Sequence, residues 1–279
     1  MRWTPGGRSP NLEDRRSGGG GGLGGGAGLG IGGTVVVLAL SLLFGRNLFS
    51  DLGVQPGIAA GGAPMSAQDS AAEEPQVQFV SFVLDDVQNT WAQILPNYGT
   101  QFHPAKLALF RNSTSSGCGP AQSAMGPFYC PVDEHVYLDL GFFEELQQKF
   151  GAAGDFARAY VIAHELGHHV QHLMGTDARV RQAQEQNPGQ ANELSVRLEL
   201  QADCYAGVWA HSTEQRRILE AGDVDEALNA AAAVGDDRIQ QRTTGRVNVD
   251  SFTHGSAAQR SASFKRGFES GDPRNCNTL

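Results

Sequence analysis

The sequence predicts an α+β fold for residues 77–279, and three observations carry that expectation. Apolar residues at helical spacing open the region, two short alternating runs separated by turn chemistry follow, and the pattern is helical from residue 141 onward. A small N-terminal sheet followed by a helical part accounts for all three. Residues ahead of this region are different in kind. The first 46 carry five arginines against two acids, a net charge of +3, whereas residues 47–279 carry −12. Of the 36 glycines, 19 lie in the first 62 residues.

Hydrophobic residues make up 40% of the 279 and charged residues 18%, which excludes wholesale disorder and a collagen-like repeat. The net charge of −9 argues against nucleic acid as a partner. Residues 1–26 read as a basic, glycine-rich tail with nothing to bury. Residues 29–44 (LGIGGTVVVLALSLLF) hold no charge, and with their neighbours make a 19-residue run at 27–45. That is close to the roughly 20 residues a membrane-spanning helix needs. Four arginines precede the run and only Arg46 follows closely, so the positive-inside rule places the tail in the cytoplasm and the body outside. A cleaved signal peptide fits less well, because the leading region is long and Arg46-Asn47-Leu48-Phe49 stands where cleavage would fall. Residues 46–76 read as a flexible linker, which makes the whole a single-pass membrane protein with its folded domain at 77–279.

Within the body, Val80, Val83, Leu84, Val87, Trp91, Ile94 and Leu95 predict a helix over 79–95, ended by Pro96. Residues 106–111 (KLALFR) and 135–140 (HVYLDL) read as strands. Helices are expected at 142–150, 155–174, 191–211, 223–233 and 257–269, with Asn187-Pro188-Gly189 as a break. Four cysteines permit three pairings. A glycine- and proline-punctuated loop lies between Cys118 and Cys130 and can close on itself; Cys204 with Cys276 would then tie the C-terminal tail to a predicted helix. An extracytoplasmic body makes both bridges permissible, with four free buried thiols as the other reading.

The chemistry concentrates at His164-Glu165-Leu166-Gly167-His168, an H-E-x-x-H on a predicted helix. Four residues of helix bring the two imidazoles within about 40° of each other around the axis, so both can meet one metal ion. Glu165 is turned about 100° from His164, which sets its carboxylate beside an open coordination position, where a general base belongs. A catalytic zinc takes three protein ligands. Gln171 and Met174 stand where a metzincin would have glycine and histidine, which excludes that class. On the next helix Glu199 and Asp203 lie one turn apart. Glu199 is the expected third ligand, and Asp203 would accept an N–H from His164 or His168. Exchanged roles, and Glu193 as ligand, stay open.

HELGHHVQ (164–171) and LELQADCYAGVWA (198–210), together with CGPAQSAMGPFYCPVDEHVYLD (118–139), GDDRIQ (235–240), THGSAAQR (253–260) and FKRGFESGDP (264–273), resemble the neutral zinc metallopeptidase family of bacterial membrane-anchored proteins. H-E-x-x-H with E-x-x-A-D is also similar to the wider gluzincin arrangement. The resemblance implies a zincin-like fold, one zinc ion per chain, Glu199 as ligand and Asp203 behind it.

The expected function is hydrolysis of peptide bonds by a zinc-activated water, with Glu165 as general base and a peptide or protein as substrate. His254, in a polar loop, and Tyr205, on the ligand-bearing helix, are the candidate donors to the developing oxyanion. The strand at 135–140 could offer an edge to an extended peptide or be an ordinary interior strand. His169 and His172 could support the ligands or lie on the surface. Two other functions compete: a tethered envelope protein in which zinc only stabilises the fold, and a zinc hydrolase of a non-peptide amide or ester. Another divalent ion could also occupy the same donors.

Overall fold

The structure, a computed structural model, describes residues 1–16 and 67–278. The apolar run at 27–45 and most of the linker lie outside these residues. Among the described residues no helix is long and apolar enough to cross a membrane.

Helix α1 (Ala67–Ile94) starts well before the expected onset of the folded body at 77 and runs through Pro75. It buries Val77, Val80, Val83, Leu84, Val87 and Trp91 along one face. A 3-10 turn (Leu95–Tyr98) closes it, and Gly99 takes the left-handed conformation there (φ 73°) that other residues resist. Beyond it lie β2 (Lys106–Phe110) and β6 (His135–Asp139), the two expected strands, paired in parallel. Sequence reading missed the small elements between them. These are the hairpin β3 (Ser113–Ser116) and β4 (Gly119–Gln122), and β5 (Phe128–Cys130), antiparallel to β6.

The N-terminus corrects the expected domain division. Residues 1–16 are not a separate tail: Leu12–Asp14 form β1, parallel to β2, with Leu12 opposite Leu107 and Asp14 opposite Leu109. The sheet order is therefore β1-β2-β6-β5. Trp3 packs edge-on against Phe79 at 5.3 Å, Ser9 donates to Asp85, and the buried Arg16 reaches Asp14 and Glu73. The α-amino group of Met1 sits 2.8 Å from Asp155 and 3.2 Å from Asp223. Because β2 and β5 both pair with β6, the 135–140 strand is interior and offers no free edge; β5 is the edge strand on that side.

The helical part comprises α2 (Gly141–Gln148), α3 (Asp155–Leu173), α4 (Thr176–Gln186), α5 (Ala191–Gln215), α6 (Asp223–Ala233), α7 (Asp236–Thr244) and α8 (Ala257–Ser270). The expected α+β architecture holds, mostly helical beside a small sheet. Helices α4 and α7 went unpredicted because almost nothing on them is apolar: α4 buries only Thr176 and Val180, and α7 only Asp236. Helix α3 packs on α1, α5 and α6, and α5 packs on α8. The α5–α8 crossing is unusually close. A Cβ on Gly207 would overlap the carbonyl of Phe264, and one on Gly267 would overlap the carbonyl of Cys204. Both expected disulfides are present, Cys118–Cys130 tying the β3–β4 turn to the end of β5 and Cys204–Cys276 binding the C-terminus to α5.

Candidate metal centre

His164 and His168 lie on the inner face of α3, and Glu199 and Asp203 on the facing side of α5. The helices can approach because residue 167 is glycine: a Cβ there would already stand 3.0 Å from the Ala202 carbonyl. The result is convergence. One donor atom from each of His164, His168 and Glu199 lies within 4.8 Å of the others. The Glu199 carboxylate spans both rings, with Oε2 3.2 Å from His164 Nε2 and Oε1 3.4 Å from His168 Nε2. Glu193 does not join them: it pairs with Arg197 on the exposed side of α5.

The far nitrogens of both rings are tied. His164 Nδ1 is 2.8 Å from Asp203 Oδ1, as the sequence led one to expect. His168 Nδ1 is 2.8 Å from Gln171 Oε1, a partner the sequence reading missed. The Gln171 amide cannot turn over without loss, because its Nε2 donates to the Leu198 carbonyl (2.7 Å) and to Gln201 Oε1 (3.1 Å). With acceptors at both Nδ1 positions, each ring keeps a proton there, which leaves Nε2 as the nitrogen able to offer a lone pair to a cation held beside Glu199. Two neutral imidazole nitrogens and a carboxylate are a donor set that suits zinc.

Asp203 is fully buried and joins more groups than expected. It accepts from the Tyr160 hydroxyl, from His164, and from Arg260 through both oxygens (Nε 2.8 Å to Oδ2, Nη2 2.9 Å to Oδ1). Burial pushes its carboxyl up, but the charges of Arg260 and His164 outweigh burial and hold it near about 2. Burial likewise pushes His164 down, and Asp203 and Glu199 more than offset it, lifting the ring to about 10 when no cation lies between them. Glu199 is held well below the usual carboxylate range because His168 and His164 outweigh its burial. The centre as built calls for positive charge, which fits a divalent cation among these donors. Arg260 and Tyr160 lie far from the motif in sequence or look like packing residues, so only the unbroken burial of Asp203 could have pointed to them.

Glu165 faces the adjoining cleft and makes no hydrogen bond or ion pair among the described residues. The cleft has a volume of about 620 Å³. It is lined by His164, Glu165, His168, Glu199, His254 and Arg260, and by apolar side chains that include Met125, Phe142, Phe150 and Ile239. His254 stands half-exposed in this lining, on a loop that Asp236 organises: one carboxylate oxygen accepts the amides of Thr253, His254 and Gly255 at 2.7, 2.7 and 3.0 Å. The other oxygen lies 3.2 Å from His254 Nδ1. Partial burial lowers the ring's pKa, but Asp236 and Glu199 raise it further, so the net shift is upward.

Tyr205 does not reach the cleft. It is 2% exposed, packs edge-on against Trp91, and points its hydroxyl at the Met174 sulfur 3.6 Å away, because the helix turn that carries it faces α1 rather than α3's inner face. His169 is buried on the opposite side of α3, where Nε2–H donates to the His103 carbonyl and Nδ1 accepts from Tyr129 on β5. Burial lowers it to about 4, so the ring is neutral and fastens the edge strand to α3. His172 is partly exposed and pairs with Asp177.

A family profile described as "Putative neutral zinc metallopeptidase" matches residues 1–279. The chain is 49% identical to "Uncharacterized protein YpfJ" of Escherichia coli strain K12, over 100% of this chain and 99% of that protein. It is 43% identical to "Uncharacterized protein Rv2575" of Mycobacterium tuberculosis strain H37Rv, over 82% of this chain and 84% of that protein. No solved structure matches. With the whole chain covered and the histidine and glutamate donors brought together, the chain belongs to the family described as putative neutral zinc metallopeptidases.

Proposed function

We propose that the protein hydrolyses peptide bonds with a zinc ion held by His164, His168 and Glu199. One observation carries this reading: the two Nε2 atoms and the Glu199 carboxylate converge, the far nitrogens of both rings are tied, and Glu165, with no hydrogen bond among the described residues, lines the cleft beside them. A purely structural zinc site needs no free carboxylate and no cleft at its open side. When bound, zinc would supply Lewis-acid activation of a water and of the scissile carbonyl. Glu165 takes the proton from the attacking water and passes it to the departing amine. His254, oriented by Asp236, which also raises the ring's pKa, donates to the developing oxyanion. The outer edge of β5 offers main-chain groups to an extended peptide, and the apolar residues of the cleft take a side chain. The two disulfides support an oxidising, extracytoplasmic location for the body.

The test is zinc content followed by digestion of a peptide library. Wild-type protein binds one zinc and cleaves; Glu165→Gln keeps the zinc and loses cleavage by about a hundred-fold or more. His168→Ala loses the metal. A fully active Glu165→Gln protein overturns the general-base role, and a zinc-loaded wild type that cleaves no peptide overturns the peptidase reading.

A further inference from the structure

The expected topology sets residues 1–26 and the body on opposite faces of a bilayer. The described structure joins them. Residues 1–16 contribute a strand to the sheet, and the join is continuous on both sides of it. Main-chain bonds run from Leu107 to the Asn11 carbonyl and from Arg15 to the Leu109 carbonyl, each 2.8 Å. Arg16 is 4% exposed, and its guanidinium lies 2.6 Å from Glu73 on the first turns of α1 and 2.7 Å from Asp14. Arg8 reaches Glu74 on the same stretch of helix, and Trp3 packs on Phe79. The last described residues before the 17–66 segment therefore stand beside the first ones after it.

We infer that residues 1–16 and the body lie on the same side of any membrane the protein meets. A crossing would demand that β1 be stripped from β2. That would break the Arg16–Glu73 and Arg8–Glu74 ion pairs and leave the β2 edge bare. This inference is independent of the proposed peptidase activity.

The test labels the full-length protein in intact cells with a membrane-impermeant maleimide. All four native cysteines are bridged and silent, so single reporters can be placed at two exposed positions, Thr4→Cys in the arm and Val249→Cys in the body. Neither belongs to the metal centre. Permeabilised cells show that each reporter can react. The expected result is agreement in intact cells: both react, or both are protected. One reacting while the other is protected overturns the inference. Amide exchange on the purified full-length protein reads the docking itself, with Leu107 and Arg15 expected to be slow; exchange of both at unfolded rates overturns it as well.

Discussion

Gln171 matters for a reason that spacing could not reveal. Sequence reading used it only to exclude a metzincin, yet it fixes the proton position of one metal-facing histidine. Gln171→Leu keeps the bulk and removes the acceptor, so zinc affinity is expected to fall ten- to a hundred-fold in a chelator competition. Asp203 does the same for His164 and is charged, which makes its contribution pH-dependent. Its carboxyl is held at about 2 against an ordinary 3.8, so the stabilisation is complete above about pH 4 and is lost as pH falls through 2. On zinc-stripped protein, the stability gap between wild type and Asp203→Asn is expected to shrink by about 2 kcal/mol from pH 5 to pH 2, read by urea denaturation. Arg260→Met would leave that carboxylate buried without its cation, at a cost of about 3–5 kcal/mol, and Arg260→Lys rescues only in part because it cannot bond both oxygens. Helical spacing made His164, Glu165 and His168 legible as one group and Glu199 with Asp203 as another, while the family resemblance, beyond spacing, pointed to Glu199 as the ligand. Arg260 was not, since 57 residues separate it from Asp203 and only folding brings them together.

At the scale of elements, glycines set how closely α5, which bears Glu199 and Asp203, approaches the helices on either side of it. Gly167 lets α3 and α5 touch, and Gly207 with Gly267 lets α5 and α8 touch. Gly267→Ala forces a methyl into the Cys204 carbonyl and is expected to cost about 1–3 kcal/mol or more, seen as a lowered melting temperature with weakened zinc retention. The Cys204–Cys276 bridge closes a 72-residue separation, for which chain entropy predicts about 4 kcal/mol. Replacing both cysteines by alanine should lower stability by that order in thermal or urea melts. The long amphipathic helices were legible: α6 begins and ends where its alanine-rich pattern does. The strands β1, β3, β4 and β5 were not, because three or four residues carry no measurable period, and β1 lies within a stretch whose charge reads as a tail.

Across the whole molecule, the sheet joins distant parts of the chain. Strand β6 meets β2 within 40 residues, but β1 meets it across more than 90. Late closure of so long a loop makes the arm the last strand added during folding. Until then, β2 stands as an open border whose Leu107, Ala108, Leu109 and Phe110 are all buried in the finished protein. Bare apolar borders of that kind recruit other chains. A polypeptide beginning at residue 67 would keep the zinc donors intact and yet be expected to self-associate, visible as concentration-dependent light scattering that the full-length protein lacks. The short basic stretch at the front of the chain thus works as a selvedge, finishing the fabric so that it does not unravel into its neighbours.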